Sequence, residues 1–227
     1  MVQDWQRLRD EVERVHRRYQ IEVVEALLLC PWAKDAREAG RVHMCVTRID
    51  RPDVSAALRA IDEAMADPRV EVGIVVFPAL PLERLPFQHF AAELRSSDAA
   101  RHERGASRIA LADFHPVANA DSATPERLVP FLRRAPDPML QVVRTSALEA
   151  VRLSDDQGTH FVDPSQHDLS ALLSTVSTPS LATRVARNNA RTVAQLGITH
   201  VEALFDNILR DRNASYAALG LTVPCWV

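Results

Sequence analysis

One histidine, three cysteines and a group of arginines hold most of the chemistry this chain can offer. His115 stands between a phenylalanine and a proline in LADFHPVANA (111–120), where an apolar run stops. An imidazole there can serve as acid or base near neutral pH, or ligate a transition metal or haem iron. Pro116 stiffens the backbone that would hold it. The same position also suits a histidine whose ring nitrogens only bond nearby backbone. Asp113, two residues earlier, shares its side of an extended chain, from which a carboxylate can orient an imidazole.

Cys30 follows three leucines and precedes Pro-Trp in LLLCPWA (27–33). A thiolate is a nucleophile, but a cysteine after Leu-Leu-Leu also reads as a small core hydrophobe. At the end of a helix the dipole disfavours the thiolate, so activation would need a cationic neighbour. Cys45 reads as core and Cys225, beside Trp226, as incidental. Three cysteines at these wide spacings form neither a disulfide framework nor a zinc pair.

Arg133, Arg134 and Arg144 surround the proline-punctuated turn RRAPDP (133–138). Arginine recognises carboxylates and phosphates through a planar fork. A rigid turn that aims such a fork at a pocket is a binding-site candidate, although most arginines are simply solvated. The loop residues His160, Asp163, His167 and Asp168 lack a standard metal-ligand spacing, so no metal is expected there. Asn188 and Asn189 fall inside a helical pattern, where asparagine is unfavourable. One of them is expected to bond a loop or a ligand.

The elements that must position these residues follow from hydrophobic spacing. Trp5, Leu8, Val12, Val15, Tyr19 and Val23 make one face of a helix running to about Leu29. Cys30-Pro31 closes it, because a residue before proline avoids the helical region. RVHMCVTRI (41–49) alternates like a strand. Asp50 and Pro52 open a helix with Val54, Leu58, Ile61 and Met65 on one face. Residues 70–80 read as a buried strand, 81–103 as a helix and 107–114 as a third strand. A polar loop and a short helix follow, and 138–153 reads as another helix. Two final helices each end at a glycine.

Strands that alternate with helices predict parallel crossovers. The expected fold is α/β, a small mostly parallel sheet covered by helices with the C-terminal helices docked on it. A single domain over 1–227 is expected. Ligands in such sheets sit beyond the carboxyl ends of the strands, which is where His115 and Pro78 fall.

Composition narrows the function classes. The 27 basic and 30 acidic residues give a net charge of -3, without the basic excess of a nucleic-acid binder. The first twenty residues are too charged for a secretory signal, and no apolar run is long enough to span a bilayer. A cytoplasmic location is expected. A small-molecule substrate is the expected partner, with neither nucleic acid nor membrane, and a homo-oligomer remains open.

Several motifs occur together and in order: LLLCPWA (27–33), DFHP (113–116), RRAPDPML (133–140), VVR (142–144) and RNNARTVAQLG (187–197). This set resembles a bacterial family catalogued as a domain of unknown function, number 1415. That family's pattern reads Leu-Cys-Pro-Phe-Ala, Phe-His-Pro, and Asn-Arg-Ser-Pro-Tyr-Pro-Met-Leu before Leu-Leu-Arg. Here Trp32 replaces Phe, Arg133 replaces Asn, Ala135 replaces Ser and Asp137 replaces Tyr. The lost hydroxyls imply a substrate particular to this member.

The Cys-Pro-aromatic and Phe-His-Pro layout is also similar, more loosely, to haem-dependent enzymes that oxygenate amino-acid nitrogen. That resemblance implies a haem oxidoreductase acting on a small, amino-acid-derived substrate. His115 would ligate the iron, Arg134 and Arg144 would pair with propionates or a substrate carboxylate, and Trp32, Phe77, Phe114 and Phe131 would wall the macrocycle. Two other readings stay open. In a cofactor-free hydrolase or transferase, Cys30 attacks and His115 is its base. In a non-catalytic binding protein, the pocket holds no reactive group.

Overall fold

The structure, a computed structural model, describes residues 2–102, 107–148, 180–220 and 223–226. Its elements are α1 (Val2–Tyr19), a π-helical turn (Gln20–Glu25), α2 (Ala33–Glu38), β1 (Val42–Val46), α3 (Val54–Ala64), β2 (Val72–Val76), α4 (Arg84–Ala100), β3 (Ile109–Phe114), α5 (Pro125–Leu132), β4 (Met139–Arg144), α6 (Leu181–Leu196) and α7 (Ile198–Ala218).

The four strands form one sheet in the order β1-β2-β4-β3. β1 and β2 run parallel, and β4 lies antiparallel between β2 and β3. The sheet is therefore mixed rather than mostly parallel. The difference arises at 139–144, expected as helix and found as strand. Met, Leu and Gln favour helices weakly, but Leu140 and Val142 pack against one helical layer while Met139 packs against the other. A strand buried on both faces carries no clear period-2 signal.

Alternation sorts the sheet's side chains between two cores. Cys45, Val75, Leu140 and Val142 pack with α3 and α4. Val46, Val76 and Met139 pack with α1, α5, α6 and α7. The C-terminal helices thus dock on the sheet as expected. Gly73 marks a close approach between β2 and the end of α3. A Cβ added there would lie 2.7 Å from Met65 Sδ and 3.2 Å from Ala64 Cβ. Gly73→Ala is expected to cost about 1–3 kcal/mol in urea unfolding, because Ala64 has little freedom to give way. An unchanged midpoint would show that Met65 absorbs the clash alone.

The first helix was expected to run to about Leu29, and it changes register first. Tyr19, Val23 and Leu27 are buried at intervals of four. Four residues overshoot one α-turn by about 40°, so this spacing would carry the stripe around an α-helix. Wider turns hold it on one side: Ala26 N–H donates to Ile21 O (3.2 Å) and Leu29 N–H to Val24 O (2.9 Å). Leu28 then takes φ +53°, a left-handed conformation, and ends the helical run.

Candidate functional site

Two turns meet at the carboxyl end of β3. His115 N–H donates to Arg133 O (3.1 Å), and Arg134 Nε donates to Pro116 O (3.0 Å). The Phe-His-Pro and Arg-Arg-Ala-Pro segments, far apart in sequence, are therefore one structural unit. Thr124 caps α5 through Arg127 N–H, and Pro125 starts the helix. That helix delivers Arg133 at its C-terminal end.

The His115 ring is held by backbone. Val117 N–H donates to Nδ1 (3.1 Å), and Nε2 lies 2.9 Å from Leu82 O. Nδ1 is also 3.3 Å from Val117 O, a contact that only a protonated Nδ1 can use. The shorter N–H contact and burial both favour the neutral ring. Burial pushes the imidazole below its ordinary value, partly opposed by the Leu82 and Val117 carbonyls. Phe87 lies 6.0 Å from the ring, and Trp226 meets it edge-on at 4.9 Å.

His115 lines a cleft of about 260 Å³ with Arg84, Gln88, Asp113, Pro130 and Arg133. Arg84 and Gln88 lie one turn apart at the start of α4, whose first turn has no side-chain cap. The positive end of that helix dipole adds to the two guanidinium groups. Arg133 is half-buried, with its guanidinium 5.6 Å over the Phe114 ring. It makes no side-chain hydrogen bond among the described residues. Burial pushes its guanidinium below the ordinary value, and Asp113 opposes that shift. Asp113 does not orient His115. Its Oδ1 accepts from Arg95 (2.7 Å), because β3 turns that side chain toward α4.

The other sequence candidates lie elsewhere. Arg134 is on the far side of the turn, donating to Asp206 (2.7 Å) and stacked on Phe205 at 5.4 Å. It lines a second space, of about 200 Å³, with Tyr19, Ala135, Pro136 and Phe205 among others. The buried Tyr19 hydroxyl has no hydrogen-bond partner among the described residues. Arg144, expected beside His115, donates instead to the carbonyls of Val70, Met65 and Asp67 at 2.7, 2.7 and 2.9 Å. The antiparallel register explains this: Arg144 pairs with Ile109 and Met139 with Phe114. Five residues of strand, about 17 Å, separate Arg144 from the His115 end.

Cys30 lines neither space, and both His115 ring nitrogens are engaged by backbone rather than by its thiol. Burial pushes that thiol up, partly opposed by the Trp32 and Ala33 N–H groups. Trp32 sits partly exposed at the start of α2. Phe77 and Phe131 are fully buried, against Phe87 and Phe205 respectively. Phe114 lies beneath the Arg133 guanidinium, and none of the four expected aromatic residues lines the cleft. Asn189 donates to Leu29 O (3.1 Å) and so ties α6 to the loop before Cys30. His160, Asp163, His167 and Asp168 lie outside the described residues.

A buried charged cluster lies behind the paired turns. Asp137 accepts from Arg212 Nη2 (2.7 Å) and Nε (3.0 Å), from Tyr216 Oη (2.8 Å), and meets His16 Nε2 at 3.1 Å. All four residues are at most 2% exposed. Arg212 also donates to Pro224 O, and Asn213 to Trp226 O (2.7 Å). The cluster thus anchors the segment that carries Trp226 onto His115. One signal pointed to it: Val201, Phe205, Ile208, Arg212 and Tyr216 share helical spacing, so Arg212 falls on a buried stripe. The partners of that arginine, on two distant elements, left no local mark.

A mixed α/β sheet between two helical layers, with a small basic cleft at one strand end, defines the class. Within it, the chain belongs to the family described as "Protein of unknown function (DUF1415)", whose model matches residues 11–163. That range contains Cys30, the Phe-His-Pro turn and the arginine turn, while α6 and α7 lie beyond it. No curated protein and no solved structure matches the chain. None of the described helices is long and apolar enough to cross a membrane.

Proposed function

We propose that this protein binds a small anion, a carboxylate or a phosphate, in the cleft between the start of α4 and the paired turns. One observation carries the reading. Arg133 is half-buried, stacked on Phe114, and lacks a hydrogen-bonding acceptor among the described residues, while Arg84 lines the same cleft. A half-buried guanidinium held over a ring, with no protein acceptor among the described residues, keeps its planar N–H fork for an outside partner, and an anionic ligand suits that fork. Arg133 stands where the family pattern has asparagine, so the preference belongs to this chain.

The haem reading fits the geometry less well. A neutral His115 has Nδ1 occupied by the Val117 N–H and its Nε2 proton on Leu82 O; a protonated ring would have no lone pair at all. Ligation through either nitrogen would require the backbone contact of that nitrogen to open. In the same neutral ring the one lone pair, on Nδ1, is already taken by Val117 N–H, which leaves none free for a Cys30-based hydrolysis. His115 instead fixes the Leu82 and Val117 backbone that frames the cleft.

The test is calorimetric titration with phosphate and acetate at low ionic strength. Saturable binding is expected, weakened about 10–100-fold in Arg133→Gln, as for loss of hydrogen bonds to a charged group. Arg133→Lys should recover only part of it, since a point charge cannot replace the fork. Arg69→Gln, an exposed arginine paired with Asp67, should change nothing. Absence of anion binding would overturn the reading. A Soret band on adding haemin, shifting with carbon monoxide and lost in His115→Ala, would restore the haem assignment.

A further inference from the structure

We infer that the ligand of this cleft is a zwitterion, carrying an ammonium group next to its carboxylate in the manner of a small α-amino acid. The inference rests on the anion-binding reading and adds a second recognition element to it. Asp113 lines the same cleft as Arg84 and Arg133. Its Oδ1 is committed to Arg95 at 2.7 Å, and Oδ2 accepts no hydrogen bond among the described residues. Arg133 and Asp113 both line this cleft, and no hydrogen bond or ion pair joins them.

Opposite charges left side by side without closing on each other present a donor fork and a free acceptor to one ligand. A carboxylate answers Arg133, and a cationic donor answers Asp113. A simple anion would satisfy the guanidinium and place its own charge against the carboxylate. An ammonium bound to the carbon beside the carboxylate lets one small molecule offer a partner to each of the two side chains of the shared cleft. A hydroxyl in its place would offer Asp113 a weaker, uncharged donor. Gln88, with both donor and acceptor capacity, is compatible with either end. The cleft is narrow, lined by six residues, and suits a small molecule.

The experiment compares four probes of matched carbon skeleton on the full chain: butyrate, 2-hydroxybutyrate, 2-aminobutyrate and butylamine. Calorimetry should find 2-aminobutyrate about tenfold tighter than butyrate, as one added charged hydrogen bond implies. The hydroxy acid should fall between them, and butylamine should bind weakest. In Asp113→Asn the advantage of the amino acid should vanish while butyrate binds at least as well. Arg95→Gln, which retains Asp113, should preserve the ranking. Butyrate or 2-hydroxybutyrate binding as tightly as 2-aminobutyrate in the wild type would overturn the zwitterion and leave the anion reading standing. Failure of all three acids and of phosphate would remove both. The wild-type ranking decides the matter even if Asp113→Asn does not fold.

Discussion

Asp137→Ala should lower the unfolding free energy by about 3–5 kcal/mol, the loss expected when one partner of a buried ion pair is removed. Urea denaturation followed by circular dichroism measures it. Arg212 is 1% exposed and directs both Nε and Nη2 at Asp137. Without the carboxylate, that cation keeps only weaker acceptors in the protein interior, and the Tyr216 hydroxyl loses the acceptor 2.8 Å away. Burial and the Asp137 charge push the Tyr216 phenol well above its ordinary value, so it remains a donor. Asp137→Asn keeps the shape and should still cost more than a typical surface change, because Arg212 loses its counter-charge. A cost below about 1 kcal/mol for Asp137→Ala would mean that water enters and replaces the carboxylate.

The same carboxylate sets an acid limit. Burial works against the Asp137 charge, but Arg212 and then His16 more than offset it, so its carboxyl is held below the ordinary value. A carboxyl whose folded pKa is depressed contributes its full stability above the unfolded value, about 3.9. The contribution is lost as pH falls through the lower, folded value. The gap between wild type and Asp137→Asn should therefore be constant near neutrality and close below about pH 4.

Much of the scaffold was legible because its signals are local. β1, β2 and β3 fall within their expected ranges, and α6 and α7 end at Gly197 and Gly220, both with positive φ. β4 was not legible, since burial on both faces erased its alternation. That one strand decides the sheet's direction and the fate of Arg144. A helix over 138–153 left Arg144 free to face His115; an antiparallel strand sends it to the opposite end, where it closes the turn after α3. The site was half legible. Rigid prolines correctly marked the two turns, but their mutual hydrogen bonds are a tertiary fact. Arg133 lines this cleft while Arg134 lines the other space, because successive residues at a helix end are turned about 100° from one another.

The aromatic residue that couples core to cleft is Phe87, and Phe87→Ala should cost about 3–5 kcal/mol, the usual loss for a buried phenylalanine. Phe87 is fully buried, 6.2 Å from Phe77 and 6.4 Å from Phe90, with His115 at 6.0 Å on its other side. It occupies the first turn of α4, between Arg84 and Gln88, so the helix that carries two cleft residues is seated on the core through this ring. Truncation leaves a cavity beneath that turn and removes a ring that confines the His115 imidazole together with Trp226. Anion affinity should fall along with stability, even well below the unfolding temperature, because the donors lose their fixed separation. Phe87→Leu refills most of the volume and should restore most of both. If Phe87→Ala lost stability but bound phosphate and acetate with wild-type affinity, the start of α4 would have to be positioned by its backbone alone, through Leu82 O and the His115 ring.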